Sequence, residues 1–327
     1  MFQYTRKYFM RNTLHQGVSR SCCLILLVMM GGCAATSDHH IAAEVAVPVA
    51  ATGDEAQYAI ATHDGRIGRI VIPVTINGQP NFHLMLDTGA THSVLTSAAA
   101  NRLGLDMSSA VVSDVQGVTG RIQAPVMRID RLQAGTLSLR DLRVPIIDGA
   151  VVSGLDGILG AEGMDSKVIS ADFIHDRIRV SDAVSLPSNV LYTVIRFSLV
   201  SRRLVVVDGM VGRVPVRAVI DTGGNQTIGN MALLEALVRQ HKDQIGMDSG
   251  VVDITNITRT GRLLLVPEIK LGPANITNAA VLFNDFNVFN VWNLDKRPTL
   301  LIGMDVLGQL GELSINYRRQ ELQVKSR

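Results

Sequence analysis

The sequence of 327 residues contains one pattern twice, and this repetition restricts the possible folds more than any other feature. The triplet Asp87–Gly89 returns as Asp221–Gly223, and each aspartate follows a largely apolar run and, nine residues earlier, a glycine. Six residues after each aspartate stands a small hydroxyl residue, Ser93 or Thr227. Several matched features in the same order predict two copies of one structural unit.

The repetition continues beyond the aspartates. The triplet Thr119–Arg121 matches Thr260–Arg262. A later motif of apolar residues followed by glycine ends at Gly160 in the first copy and at Gly303 in the second. Each copy then closes with an alternating segment typical of a β-hairpin. We therefore expect two duplicated halves of about 130 residues each, a usual size for a domain.

Alternating Val and Ile residues between glycine-centred turns predict a mostly β fold of short strands. Aromatic residues make up only 4% of the chain, so the apolar content is aliphatic and favours strands. One short helix is expected after each aspartate, over Thr96–Leu103 and over Met231–His241. The Ser, Pro and Asn residues of Ser181–Asn189 indicate the joint between the halves. The predicted strands include Ile67–Ile76, Val126–Leu132, Val144–Ile147 and Leu204–Val207, and the predicted closing hairpins span Val168–Val180 and Leu313–Val324.

Composition excludes several classes of function. A net charge of +2 without a basic stripe argues against a nucleic-acid partner. All three cysteines, Cys22, Cys23 and Cys33, lie near the start, so the body has no disulfide framework, cysteine-based zinc site or cysteine nucleophile. The sequence has no HExxH, GxSxG, phosphate-loop or Rossmann glycine motif. We therefore expect no metal and no cofactor.

The first residues predict an export signal. Arg6, Lys7, Arg11 and Arg20 precede the apolar run Cys22–Met30, which is too short to span a bilayer. The ending Met30-Gly31-Gly32-Cys33 resembles the lipobox of bacterial lipoproteins, in which the cysteine is lipidated and becomes the mature N-terminus. An ordinary cleaved signal and an uncleaved amphipathic N-terminus are the alternatives. The resemblance implies membrane attachment through Cys33 in the cell envelope, with the outer membrane facing the periplasm as the default location.

The body resembles the aspartic peptidases, and its Ile158-Leu159-Gly160 motif and compact halves are closer to the retropepsin-like branch than to pepsin. The resemblance covers residues 66–327 in two copies and implies two β-barrel halves with short helices, related by a pseudo-twofold axis. The expected organisation is a signal peptide at 1–32, a lipidated cysteine and flexible tether at 33–56, an N-terminal half at 57–184 and a C-terminal half at 185–327.

By this resemblance Asp87 and Asp221 are the catalytic residues. Peptide hydrolysis of this kind uses one carboxylate as general base on water and one carboxylic acid to protonate the carbonyl oxygen. Two adjacent carboxylates share a proton and titrate as a coupled pair. Because retropepsins form this pair by dimerising, a duplicated chain could act as a monomer. The supporting residues implied are Thr88 and Thr222, which would interlock, and Gly89 and Gly223, which would let N–H groups approach the carboxylates.

Two departures from pepsin-like sequences bear on the expected activity. Ala90 and Gly224 follow the triplets where pepsin-like enzymes carry a hydroxyl residue. The absent hydroxyl should raise the pKa values of the pair and make the pH optimum less acidic. The predicted flap hairpins are Val115–Ile122 and its counterpart Asp253–Arg262, neither of which has the tyrosine of pepsin-like flaps. The flap candidates are Gly117, Thr119, Gly120, Thr260 and Gly261. Arg121 and Arg262 could touch substrate or be solvated hairpin residues, and the solvated reading is favoured.

The predicted function is an aspartic endopeptidase acting on polypeptide substrates. The main rival is a lipoprotein that keeps the peptidase fold and binds extended peptides without cleaving them, because a fold alone does not establish activity. A zymogen or maturation factor whose own tether occupies the cleft is a second rival. Each Asp-Thr-Gly triplet taken alone could be an ordinary turn. His92 could tune the charge of the pair or face solvent, and Trp292 could belong to the core or to the cleft wall.

Overall fold

The computed structural model describes residues 56–63, 66–182, 192–240 and 246–326. The predicted signal peptide at 1–32, Cys33 and the tether up to residue 55 lie outside the described residues. The described chain is mostly strand, arranged in two large sheets with short helices, which confirms the predicted fold class.

The first half contains strands β1 to β10 and one α-helix, α1. Helix α1 begins after Thr96, whose hydroxyl accepts a hydrogen bond from the backbone N–H of Ala99 at 3.2 Å, a standard N-cap. The helix lies where the sequence predicted it. The elements are β1 (Ala56–His63), β2 (Arg66–Ile76), β3 (Gln79–Leu86), β4 (Val94–Leu95), α1 (Ser97–Arg102), β5 (Val111–Gln116), β6 (Arg121–Ala134), β7 (Leu137–Pro145), β8 (Gly157–Leu159), β9 (Lys167–Asp172) and β10 (Arg177–Asp182).

The second half repeats this plan with strands β11 to β23 and three α-helices. Helix α2 buries Leu233, Leu234 and Leu237 on one face, as the spacing of its leucines predicts. The elements are β11 (Thr193–Arg196), β12 (Ser198–Val200), β13 (Leu204–Val211), β14 (Val214–Ile220), β15 (Ile228–Gly229), α2 (Met231–Gln240), β16 (Met247–Val252), β17 (Thr258–Leu265), β18 (Glu268–Leu271), β19 (Ala274–Thr277), β20 (Ala280–Phe283), α3 (Asn287–Val291), β21 (Thr299–Ile302), α4 (Met304–Leu307), β22 (Leu310–Asn316) and β23 (Glu321–Ser326).

A shared run of strands joins the halves in the order β11-β23-β22-β9-β10-β1. The two closing hairpins, β9–β10 and β22–β23, lie at its centre, where β22 pairs antiparallel with β9. Ser314 and Ser170 face each other in this register, and the Ser314 hydroxyl donates to the Ser170 hydroxyl at 2.8 Å. The order is symmetric about this pair, as expected for two copies related by a pseudo-twofold axis.

Two features of the fold position the site. Strand β3 pairs in parallel with β8 in the first half, and β14 pairs in parallel with β21 in the second. The residues that follow β3 and β14 contact the opposite half, because the Thr88 hydroxyl donates to the carbonyl of Ile220 and the Thr222 hydroxyl donates to the carbonyl of Leu86. Hairpins β5–β6 and β16–β17 form one flap in each half. The largest apolar cluster draws on both halves, with Leu86 and Ile220 both fully buried at the ends of β3 and β14.

Several boundaries differ from the sequence-based prediction; for example, the strands predicted at Val126–Leu132 and Leu204–Val207 extend over Arg121–Ala134 and Leu204–Val211. The joint was placed at Ser181–Asn189, but Ser181 and Asp182 belong to β10, where they pair with Val168 and Lys167, and residues 183–189 lie outside the described residues. The strand predicted at Val144–Ile147 begins earlier and ends at Pro145, because its whole length pairs with β6. None of the helices in the described part of the chain is long and apolar enough to cross a membrane.

Candidate active site

The two aspartates of the repeated triplet occupy equivalent positions at the ends of β3 and β14. The backbone N–H of Asp87 donates to the carbonyl of Leu159 at 3.0 Å, and the N–H of Asp221 donates to the carbonyl of Ile302 at 3.0 Å. Each aspartate is therefore the first residue of a loop, and a hydrogen bond to the neighbouring parallel strand, β8 or β21, holds that residue in place. The loops from the two halves meet face to face.

Threonine side chains lock the two loops together. The Thr88 hydroxyl donates to the carbonyl of Ile220 at 2.8 Å, and the Thr222 hydroxyl donates to the carbonyl of Leu86 at 2.8 Å. Each hydroxyl also accepts the backbone N–H of the other threonine at 3.1 Å. Both threonines are 1% exposed, so these four bonds are shielded from competing water. The structure thus brings together the two threonines that the family resemblance singled out.

Backbone N–H groups hold each carboxyl group in place. Oδ1 of Asp87 accepts from Gly89 at 2.8 Å and from Ala90 at 3.0 Å. Oδ1 of Asp221 accepts the equivalent bonds at 2.9 Å and 3.1 Å. The two carboxyl groups lie close enough for the charge of Asp221 to raise the pKa of Asp87.

The glycines at the third position of the triplets allow this close approach. A Cβ atom on Gly89 would lie 2.7 Å from Oδ1 of Asp221, and one on Gly223 would lie 2.3 Å from Cγ of Asp87. Any side chain at either position would displace the carboxyl group of the opposite half. These glycines therefore define the distance between the two aspartates.

The environment of the pair favours retention of a proton. Burial raises the pKa of Asp87 well above its usual range, and the negative charge of Asp221 raises it further. Burial also raises the pKa of Asp221, against the opposing effect of its hydrogen bonds from Asp87 and two backbone N–H groups. Two such carboxyl groups titrate as one coupled system that keeps its shared proton above the usual carboxylic acid range.

A second pair of carboxylates supports the loops, and the sequence reasoning did not identify it. The hydroxyl of Ser93 accepts from the N–H of Gly160 at 3.2 Å, and the N–H of Ser93 donates to Glu162 at 2.8 Å. In the second half, Thr227 makes the equivalent bonds to Gly303 at 3.1 Å and to Asp305 at 3.0 Å. A carboxylate two residues after each glycine motif was the available signal in the sequence.

The two flaps touch each other at their tips. The Thr119 N–H donates to Oδ2 of Asp253 at 3.0 Å, and its hydroxyl donates to Oδ1 at 2.7 Å. Thr119 is fully buried and Asp253 is 8% exposed. The side-chain amide of Asn287 donates to the carbonyls of Gly117 and Gly120 at 3.1 Å and 3.2 Å, which fixes the tip of the first flap from below. No local pattern singled out Asn287, or the contact of Asp253 with the first flap.

The flap candidates fall into two groups. Gly117, Thr119 and Gly120 lie at the tip of the first flap, where a Cβ atom on Gly117 would lie 2.1 Å from Oδ2 of Asp253. Thr260 and Gly261 do not lie at the second tip. They belong to β17, where they pair with β16, and the tip is formed by 253–257 instead. The match between Thr260–Arg262 and Thr119–Arg121 was therefore not a structural equivalence.

A cavity of about 860 Å³ lies between the flaps and the aspartates. Asp87 and Asp221 line it, and its apolar walls include Met85 and Ile158 from the first half and Ile228 and Leu301 from the second. Its volume falls within the range of about 300–1,000 Å³ that is usual for ligand sites. The aspartates thus face a partly open cleft large enough for a peptide segment.

The remaining sequence candidates lie around this cavity or away from it. Trp292 both lines the cavity and packs against an apolar cluster of the second half. His92 lines the cavity, is exposed and contacts Thr91 at 3.0 Å. Arg121 and Arg262 are exposed, as the solvated reading expected. In the described part of the chain, no group of three or more His, Cys, Asp or Glu side chains could hold a metal ion.

Comparison with known families finds a match in each half. The family model for aspartyl proteases matches residues 72–162 and residues 205–306, together more than half of the chain. Each matched region contains one Asp-Thr-Gly triplet and one supporting carboxylate. No curated protein matches the chain.

Proposed function

The chain belongs to the aspartyl protease family, and from this premise we propose that it is an aspartic endopeptidase in which Asp87 and Asp221 are the catalytic residues. The observation that carries the proposal is the pair of carboxyl groups that the interlocked loops hold side by side, facing a cavity of about 860 Å³. Because one chain supplies both carboxyl groups, a monomer would be sufficient for activity.

The chemistry requires one proton on the pair. The ionised carboxylate takes a proton from a water molecule while the oxygen of that water attacks the carbonyl carbon of the peptide bond. The protonated carboxyl group gives its proton to the carbonyl oxygen. The carboxyl group that took the proton from water then gives it to the amide nitrogen, and the C–N bond breaks while the other carboxylate takes back a hydroxyl proton. The products are a new carboxyl terminus and a new amino terminus, and the pair again holds one proton. Holding both carboxyl groups in place before substrate arrives avoids reorganisation during the reaction.

The flaps would control access to this chemistry. The contacts of Thr119 with Asp253 close the flaps over the cavity. A polypeptide can therefore enter from the side of the flaps only when those bonds break. Once inside, an extended segment could pair its backbone with a flap strand and place alternate side chains in the apolar walls. We propose a polypeptide as the substrate of this cleft.

Cleavage of unfolded proteins by matched variants would test the proposal. The full-length protein, Asp221→Asn and Asp87→Asn would each be incubated with a denatured protein mixture between about pH 4 and pH 7, and the new termini counted by mass spectrometry. Termini produced by the parent and absent with both variants are expected. Folded parent protein that produces none would instead favour the binding-only alternative, which a titration of extended peptides would then measure.

We also propose that Cys33 is lipidated and attaches the protein to the cell envelope, with the outer membrane facing the periplasm as its location. The support is the charged start, the apolar run Cys22–Met30 and the Met30–Cys33 ending. Labelling cells with a radioactive fatty acid should mark the parent protein and not Cys33→Ala. Equal labelling of both proteins would contradict this attachment.

A further inference from the structure

The cavity is asymmetric at one position that the duplication makes easy to compare. Met85 and Val219 each stand two residues before an aspartate. Met85 pairs with Val71, and Val219 pairs with Val206. Two residues before these valines stand Arg69 in the first half and Leu204 in the second. Leu204 is fully buried in an apolar cluster, whereas Arg69 is half-buried and lines the cavity.

Arg69 has no partner for its charge within the described residues. Its guanidinium makes neither a hydrogen bond nor an ion pair with any of them, although burial lowers its pKa. A guanidinium carries five donors, and taking them partly out of water without acceptors is unfavourable. An anion bound in the cavity would supply those acceptors.

The other charged side chains that line the cavity do not neutralise Arg69. Arg143 in β7 also lines the cavity, is exposed and forms no ion pair with a described residue. Asp114 lies 3.8 Å from Arg121, which offsets its charge. Asp253 is occupied by the hydrogen bonds that join the flaps. Apart from the catalytic pair, no carboxylate among the described lining residues is left to neutralise Arg69.

Arg203, beside the counterpart of Arg69 in the second half, has a purely structural role. Arg203 precedes Leu204, and its Nη1 donates to the carbonyl of Thr91 in the opposite half at 2.6 Å. It does not line the cavity. Arg203 therefore serves as a matched control for Arg69, because both arginines lie near the start of equivalent strands and only the guanidinium of Arg203 is engaged by the fold.

We propose that Arg69, assisted by Arg143, forms an anion-binding subsite that selects peptide substrates with an acidic side chain close to the scissile bond. The proposal deepens the function above and rests on it only in taking this cavity as the substrate cleft. A carboxylate can bind a guanidinium through two parallel hydrogen bonds, so Glu and Asp fit the subsite while Lys and Arg are repelled. The same chemistry would accept the terminal carboxylate of a peptide, which the test must separate.

The test compares peptides that differ only by Glu or Gln at each position around the cleaved bond, each made with a free and with an amidated C-terminus. Full-length protein should cleave the Glu peptide about 10- to 100-fold more efficiently in kcat/KM at one position, the effect of a charge-assisted hydrogen bond. Arg69→Gln should reduce this ratio to nearly one and leave the Gln peptide within about threefold of the parent. Arg203→Gln should lower thermal stability while keeping the ratio.

Three results would overturn the assignment: no preference for Glu at any position, a preference that survives Arg69→Gln, or a preference confined to peptides with a free C-terminus. The last result would assign the subsite to a terminal carboxylate. Binding of the same peptides with a non-cleavable reduced bond separates this inference from the protease proposal. Glu-selective binding that depends on Arg69, without cleavage of any peptide, would sustain the subsite and refute the protease function. Absence of both binding and cleavage would refute both.

Discussion

Substitution of Gly223 by alanine should disable the candidate site, because the added Cβ atom would overlap the carboxyl group of Asp87. A Cβ atom at this position would lie 2.3 Å from Cγ and 2.4 Å from Oδ2 of Asp87, where ordinary contact begins at 3.4 Å. The carboxyl group or the loop must therefore move by about 1 Å. The carboxyl group cannot move freely, because the N–H groups of Gly89 and Ala90 hold it at 2.8 Å and 3.0 Å.

Two magnitudes follow for Gly223→Ala. Forced overpacking of this kind costs about 1–3 kcal/mol of stability. A displacement of about 1 Å at the reacting groups costs on the order of 100-fold in rate. The substitution should therefore lower kcat far more than it lowers the fraction of folded protein, which is a signature of a displaced catalytic group.

The assay measures kcat on a cleavable peptide together with the free energy of unfolding in urea. Gly250→Ala in β16 is the matched control, because a Cβ atom there would have no neighbour nearer than 3.7 Å. The control should keep its stability and most of its kcat. Wild-type kcat in Gly223→Ala, or an equal loss in both variants, would refute the steric reasoning.

Further predictions concern the lock, the flaps and the titration of the pair. Thr222→Val leaves the buried N–H of Thr88 without its acceptor and should lower the free energy of unfolding in urea by about 1–3 kcal/mol. Thr222→Ser should restore most of this loss. A free energy of unfolding that does not change in Thr222→Val would contradict the interlocking of the threonines. Asp253→Ala should increase hydrogen exchange at the first flap tip about 10-fold or more by mass spectrometry, whereas Asp248→Asn on the same hairpin should not. Folding raises the pKa of Asp87, so the folded state binds more protons and stability falls as pH rises above the unfolded value of about 3.9. Asp87→Asn should therefore raise the melting temperature more at pH 7 than at pH 4, and an equal gain at both would count against a raised pKa.

The sequence predicted the parts of the fold that depend on local pattern. The alternation before Asp87 and Asp221 predicted the strands that deliver them, and Thr96 marked the start of α1, because strand period and N-cap chemistry are properties of neighbouring residues. The duplication itself predicted that two carboxylates would be available. What the structure adds is the close approach of the two carboxyl groups and the interlocking of Thr88 with Thr222.

Contacts between distant residues were beyond the sequence reasoning. Thr119 and Asp253 are 134 residues apart, and nothing near either residue indicates that they meet. The triplet Thr260–Arg262 looks like Thr119–Arg121 but lies in a strand of the second flap instead of at its tip, because hairpin pairing, not triplet identity, decides which residues reach the tip. The sequence did not indicate Arg69 for the same reason, because its position in the lining of the cavity depends on residues that are distant in the chain.

The pH dependence of kcat/KM tests the central claim most directly, because it reports the proton that the pair must hold. A bell-shaped profile is expected, with the acidic limb marking protonation of both carboxyl groups and the alkaline limb marking loss of the shared proton. Since burial raises the pKa of both aspartates from 3.8, the whole profile should lie at higher pH than for an unperturbed pair. Asp87→Asn and Asp221→Asn should be inactive at every pH. Maximal activity near pH 2, or cleavage that persists in either variant, would contradict the account.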